Sequence, residues 1–261
     1  MKIYISADIE GISSISTWQE SDMKAPSEAC ARMTREVCAA CEAAIEMGAT
    51  EVLVKDAHGY GKNICHEDLP TQVKLMSGWA NHPYNMVEGI DESYEGVVFL
   101  GYHSAASTPD SPLSHTLDTR LAKVTLNGEI ASEFLIYHTL TNSLNVPTLL
   151  VTGDGGIVRE VSELDPNIEA VAVKEGFAGA MISNHPAMAC KEIKEALKRG
   201  ISKRDSIEMP MIDEFTLEVT FKEHKEAYKY SFFPHATQVN SHTIKIQSEN
   251  YQDILTFLLF I

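Results

Sequence analysis

Apolar and polar positions along this chain switch repeatedly between strand-like and helix-like periods. Lys2 to Ala7 alternates and predicts a first strand. Glu51 to Lys55 and Val73 to Met76 predict short apolar strands, and Gly96 to Gly101 a buried one. Leu121 to Leu126 leads through Asn127-Gly128, a turn signal, into Glu129 to Leu144, where Ile130, Phe134, Ile136, Tyr137 and Leu140 fit one helical face. Thr148 to Val151 and Ile168 to Val173 are further strands. Ser27 to Met47, stopped by Gly48, and Pro186 to Arg199 are helices. Phe215 to Phe221 and His242 to Gln247 read as late strands, and an apolar helix runs on from Tyr251. This order predicts an α/β fold with a mostly parallel or mixed central sheet flanked by helices, and a smaller C-terminal α+β part. The charged stretch from Gly200 to Pro210 is the plausible seam, with the main domain over 1–205 and the remaining strands and helix, 206–261, as a subdomain of the same unit.

Composition narrows the class. The 261 residues carry a formal net charge of −16, which disfavours nucleic acid and anionic membrane surfaces as partners. Met1-Lys2-Ile3-Tyr4 enters a strand directly, with no leader pattern, and no apolar run reaches spanning length, so a cytoplasmic location is expected. The five cysteines form no disulfide framework. Cys38 and Cys41 make a C-x-x-C, but within a helix and not at its start, so they and Cys30 read as packing residues. Cys65 and Cys190 get the same reading.

The chemistry collects where strands end. Asp8 and Glu10 follow the first strand, on the edge of an α/β sheet where ligands gather, and point to the same side of an extended segment. Two like charges so close call for a divalent cation. His58 and His103 follow two other strands, and imidazole with carboxylate suits zinc and its neighbours. Asp56 is placed to orient His58 through its second nitrogen. Gly153-Asp154-Gly155-Gly156 lacks the Lys-Ser/Thr of a phosphate loop and reads as a tight strand-to-helix turn, with Asp154 lining the pocket. The other histidines, His115 aside, are left as structural, and Trp18 and Trp79 as packing residues.

Asp8-Ile9-Glu10-Gly11-Ile12-Ser13, Asp56-x-His58, Met86-Val87-Glu88-Gly89, Gly101-Tyr102-His103, Ser107-Thr108-Pro109, Ser114-His115, Ser132-Glu133 and Gly153-Asp154 stand in an order that resembles the DppA-type D-aminopeptidases, a family of binuclear zinc peptidases. The resemblance covers nearly the whole chain. It implies the metal ligands Asp8, Glu10, His58, His103 and Glu133, with Asp8 bridging two zinc ions, and His115 as the catalytic residue beside them. Glu133 comes from the resemblance alone, because its periodicity reads as a solvated helix face. Three carboxylates against two divalent ions leave room for a bridging hydroxide. The implied function is a hydrolase, a metalloprotease that removes the N-terminal residue of short peptides, D-amino-acid peptides such as D-Ala-D-Ala among them, through a water activated by two zinc ions. A ring-type homo-oligomer, a decamer, is implied as well. Ser104-Ala105-Ala106 and Asp110-Ser111-Pro112-Leu113 are the places where the chain departs from the family pattern, in loops that wall the pocket. An L-peptide aminopeptidase, a metal-dependent amidase on another C–N bond and a non-catalytic metal- or ligand-binding protein therefore stand as alternatives.

Overall fold

A computed structural model of the chain describes residues 1–21 and 27–261. Its elements are β1 (Lys2–Ala7), α1 (Trp18–Ser21), α2 (Glu28–Glu46), β2 (Glu51–Asp56), β3 (Val73–Met76), β4 (Val97–Tyr102), β5 (Leu121–Leu126), β6 (Glu129–Ile130) and α3 (Glu133–Ser143). They continue as β7 (Thr148–Asp154), α4 (Gly155–Leu164), β8 (Glu169–Phe177), β9 (Ala180–Ser183), α5 (Pro186–Lys203), β10 (Phe215–Phe221), α6 (His224–Tyr230), β11 (Thr237–Gln238), β12 (Thr243–Ser248) and α7 (Tyr251–Phe260).

The central sheet runs β3-β2-β1-β4-β7-β8-β9 and is parallel except for β9, which returns antiparallel on β8. Its inner strands are buried along their length, as expected of a sheet covered by helices. Helices α2 and α5 pack against each other, while α3 packs on β4 and β7. From β1 the chain builds outward to β2 and β3, then returns to the other side of β1 for β4, β7 and β8. The strand order thus reverses between β1 and β4, which opens a crevice at their carboxyl ends. The loops beyond those ends are in close contact: a Cβ on Gly11 would lie 1.9 Å from the Tyr102 carbonyl oxygen.

The second sheet, β11-β12-β10-β5-β6, is antiparallel. It joins the late strands to β5 and β6 from the middle of the chain, with β10 paired directly to β5. Here the expected helix from Glu129 is corrected. Asn127 and Gly128 both have positive φ, 51° and 92°, the backbone of a two-residue hairpin turn. That turn sends Glu129 and Ile130 back along β5 as β6, with Ile130 exposed, and the helix starts only at Glu133.

Among the described residues no helix is long and apolar enough to cross a membrane. Cys30 and Cys41 are buried in α2 and Cys38 half-buried, as packing residues should be. Cys65 is exposed, contrary to its reading as a packing residue.

Candidate metal centre

Asp8 and Glu10 lie just beyond β1, His58 two residues beyond β2, and His103 directly after β4. Since these strands are parallel neighbours, all four side chains meet on one edge of the sheet, at the reversal of strand order. Glu133 arrives by another route, as the first residue of α3. The Ser132 side chain caps that helix by accepting from Leu135 N at 3.0 Å. His115 comes from the loop after β4 and stacks on His103, with ring centroids 4.3 Å apart and planes at 6°.

Asp8 stands between two groups. Its Oδ1 is 3.2 Å from His58 Nδ1, which is also 2.9 Å from Glu10 Oε2. Its Oδ2 is 3.4 Å from His103 Nε2, which is 3.3 Å from Glu133 Oε2. His115 Nε2 lies 3.5 Å from Glu133 Oε1. All these carboxylates are buried.

Each imidazole is oriented from behind by a main-chain carbonyl. His58 Nε2 donates to Ser21 O at 3.0 Å, His103 Nδ1 to Ser104 O at 3.0 Å, and His115 Nδ1 to Leu113 O at 2.9 Å. A carbonyl only accepts, so the proton sits on the outer nitrogen, and the inner nitrogen of a neutral ring presents a lone pair to the carboxylates. Among the described residues, buried Asp8 Oδ2, Glu10 Oε2 and His103 Nε2 have no hydrogen-bond partner. Unsatisfied buried polar atoms are costly, and here they converge on one place. A divalent cation would satisfy them, and the oxygen and nitrogen donors suit zinc.

The protonation equilibria show the same demand for positive charge. Burial, then Glu10, pushes Asp8 up to about 8. Burial alone would lower His103, but Glu133 and Asp8 outweigh it and carry it up to about 10. His58 is likewise raised against its burial, by Glu10 and Asp8. Glu10 and Glu133 stay below the usual carboxylate range because the facing imidazoles overcome the upward push of burial. His115 differs: burial and the charge of His103 both hold it below the ordinary imidazole value.

Several supporting residues escaped the sequence reading. Leu117 has φ 62°, a strained conformation for a bulky side chain, and its N–H donates to Glu133 Oε1 at 2.6 Å. Buried Lys174 on β8 donates to the main-chain oxygens of Glu10 and Ile15, fixing the Asp8 loop from behind. Asp56 does not touch the His58 ring. It accepts from Asn63 Nδ2 at 2.9 Å, and Asn63 Nδ2 also donates to His58 O at 2.8 Å. Asp154 does not line the cavity over these carboxylates and imidazoles. It caps α4 and accepts from Ser104 Oγ at 2.6 Å and Ser104 N at 2.9 Å, steadying the loop that orients His103.

Over these carboxylates and imidazoles opens a cavity of about 390 Å³, walled in part by Trp18, Trp79, Met86 and Leu117. The two tryptophans, read from sequence as packing residues, thus border the site. A floor of carboxylates and imidazoles with unsatisfied lone pairs, beneath a walled cleft at the carboxyl edge of an α/β sheet, is the construction of a metallohydrolase.

A family model described as D-aminopeptidase matches residues 1–260. A D-aminopeptidase of Bacillus subtilis (strain 168) is 30% identical over 251 residues, 95% of this chain and 90% of the relative. The solved structure of the Zn-dependent D-aminopeptidase DppA from Bacillus subtilis, described as a self-compartmentalizing protease, matches with a TM-score of 0.92 at 28% identity, over 100% of this chain and 96% of that one. The chain belongs to the D-aminopeptidase family and is an aminopeptidase.

Proposed function

We propose that this chain is a binuclear zinc aminopeptidase that removes the N-terminal residue of short peptides, D-amino-acid peptides such as D-Ala-D-Ala among them. The observation that carries the reading is the division of the site by Asp8, whose two oxygens face two separate imidazole–carboxylate pairs. One ion would be held by Asp8, Glu10 and His58, the other by Asp8, His103 and Glu133. The similar structure DppA is described as Zn-dependent, which supports zinc as the metal. Zinc held by these residues would lower the pKa of a bound water, polarise the scissile carbonyl and offer a seat for the substrate amine.

The side chains supply the rest. His115 is fixed by its bond to Leu113 O and by Trp18, whose ring meets it edge-on at 5.0 Å. Its burial holds the pKa below the ordinary imidazole value and so favours the neutral ring, with the Nε2 lone pair facing the site. It can therefore take a proton at Nε2 from the attacking water and return it to the leaving amine. The cavity walls hold the peptide over the carboxylates and limit entry of bulk water.

A second reading makes His115 a metal ligand, because ligand atoms of His103, His115 and Glu133 lie within 4.8 Å of one another. A matched panel of D- and L-dipeptides and simple amides, assayed with wild type and His115→Ala alongside zinc analysis, tests both. Loss of turnover with both ions retained supports the catalytic role, and loss of one ion supports ligation. Cleavage of L-dipeptides alone removes the D preference, and cleavage of amides alone points to an amidase.

The reading includes a homo-oligomer, which the description of DppA as self-compartmentalizing supports, and a ring of ten as the number the family resemblance implies. Light scattering of the purified protein tests it. Residues 206–261 are taken as a subdomain of the same unit because β10 pairs with β5. A cytoplasmic location fits the free cysteines.

A further inference from the structure

Lys55 and Glu88 form a buried ion pair that takes no part in the metal site, with Nζ 3.6 Å from Oε2. Burying two charges needs a compensating return, and both groups act on the same short segment. Lys55 donates to Gly78 O. Glu88 accepts from Ala80 N and His82 N, both at 2.9 Å. The main chain is therefore held immediately before and after Trp79.

The Trp79 side chain is held as well. Lys55 Nζ sits 3.8 Å from its ring centroid, and its Nε1 donates to Gly59 O at 2.8 Å, one residue beyond the ligand His58. The indole is only partly buried and borders the cavity over the carboxylates. A large aromatic surface so restrained, packed on one side against the core and bordering a cleft on the other, is a pre-organised contact for a ligand.

Building on the peptide-hydrolase reading, we propose that Trp79 is a specificity-determining wall of the substrate pocket, an aromatic platform for an apolar side chain of the N-terminal residue, and that Lys55 and Glu88 are its positioning residues. Such a platform gains with the apolar surface laid on it, so it favours D-Leu over D-Ala at the scissile position. A difference of a few methylenes in an apolar pocket is worth about tenfold or more.

The test is steady-state kinetics of zinc-loaded wild type, Trp79→Ala and Trp79→Phe on D-Leu-D-Ala and D-Ala-D-Ala. The expected result for Trp79→Ala is a rise of about tenfold in KM for the leucyl peptide, little change for the alanyl one, and unaltered zinc content. Trp79→Phe, which keeps an aromatic ring, should recover most of the preference. Equal effects on both peptides, or none, would overturn the proposal.

A binding measurement separates this outcome from failure of the peptidase reading. The chain has two tryptophans, so Trp18→Phe leaves Trp79 as the sole indole reporter. Titration of that variant with D-leucine hydroxamate should change its emission at a concentration about tenfold lower than D-alanine hydroxamate requires. Selective binding without turnover by wild type would leave the platform standing and reject the peptidase reading. Turnover by wild type with no selectivity in either assay would reject the platform alone.

Discussion

Two clusters of buried charge serve the same cavity, one as its floor and the other behind the Trp79 segment of its wall, and they differ in how their polar atoms are satisfied. Around Lys55 and Glu88 the account closes: both Glu88 oxygens accept main-chain N–H groups, and the ammonium has a carboxylate, a carbonyl and an aromatic face. Around Asp8 three buried atoms have no hydrogen-bond partner among the described residues. Both clusters are buried, so burial does not separate them. The satisfied pair has the character of a scaffold, and the unsatisfied set that of a receptor for cations.

The comparison breaks first at Asp8. Asp8→Ala is expected to lose both zinc ions and all detectable dipeptide hydrolysis, measured by elemental analysis and product release, because its two oxygens face both halves of the site. Retention of either ion at full occupancy would contradict its shared role. His115→Ala comes next, with kcat reduced by about 10²–10⁴-fold while both ions remain. Lys55→Met tests the scaffold: it strands Glu88 and is expected to lower the unfolding free energy by about 3–5 kcal/mol in urea titrations, with zinc content unchanged. Adding Glu88→Gln should restore part of that loss. If Lys55→Met loses zinc and stability together, the two clusters are one unit.

The smallest effect lies in the pH response of the metal-free protein. His103 rises from 6.5 to about 10 on folding, so its contribution to stability is complete below 6.5 and is lost as pH climbs toward 10. Asp8, raised from 3.8 to about 8, acts with the same sign. Thermal unfolding of the chelated protein should therefore weaken from neutral to alkaline pH. Zinc loading replaces those protons, so it should release protons near pH 7 and flatten the profile.

Much of the site was legible in the sequence. Asp8, Glu10, His58 and His103 all sit at the ends of strands that alternate or run apolar, so the parallel-sheet rule groups them without coordinates. Glu133 was not accessible that way. It reaches the site from a helix N-terminus behind a hairpin, and the periodicity of 129–144 concealed both the turn and the cap. Motif order supplied it. The roles of Lys55, Glu88, Trp79 and Lys174 were not legible for a different reason, although Glu88 stands in one of the motifs and Trp79 was read as a packing residue. Their roles depend on contacts between distant segments, which local patterns do not record.

Shared coordination by Asp8 is tested most directly by anomalous diffraction at the zinc edge from crystals of the zinc-loaded protein. Two peaks are expected, one between Glu10 and His58 and one between His103 and Glu133, each in contact with a different Asp8 oxygen. A single peak, or a second one bound by His115 in place of Asp8, would contradict it.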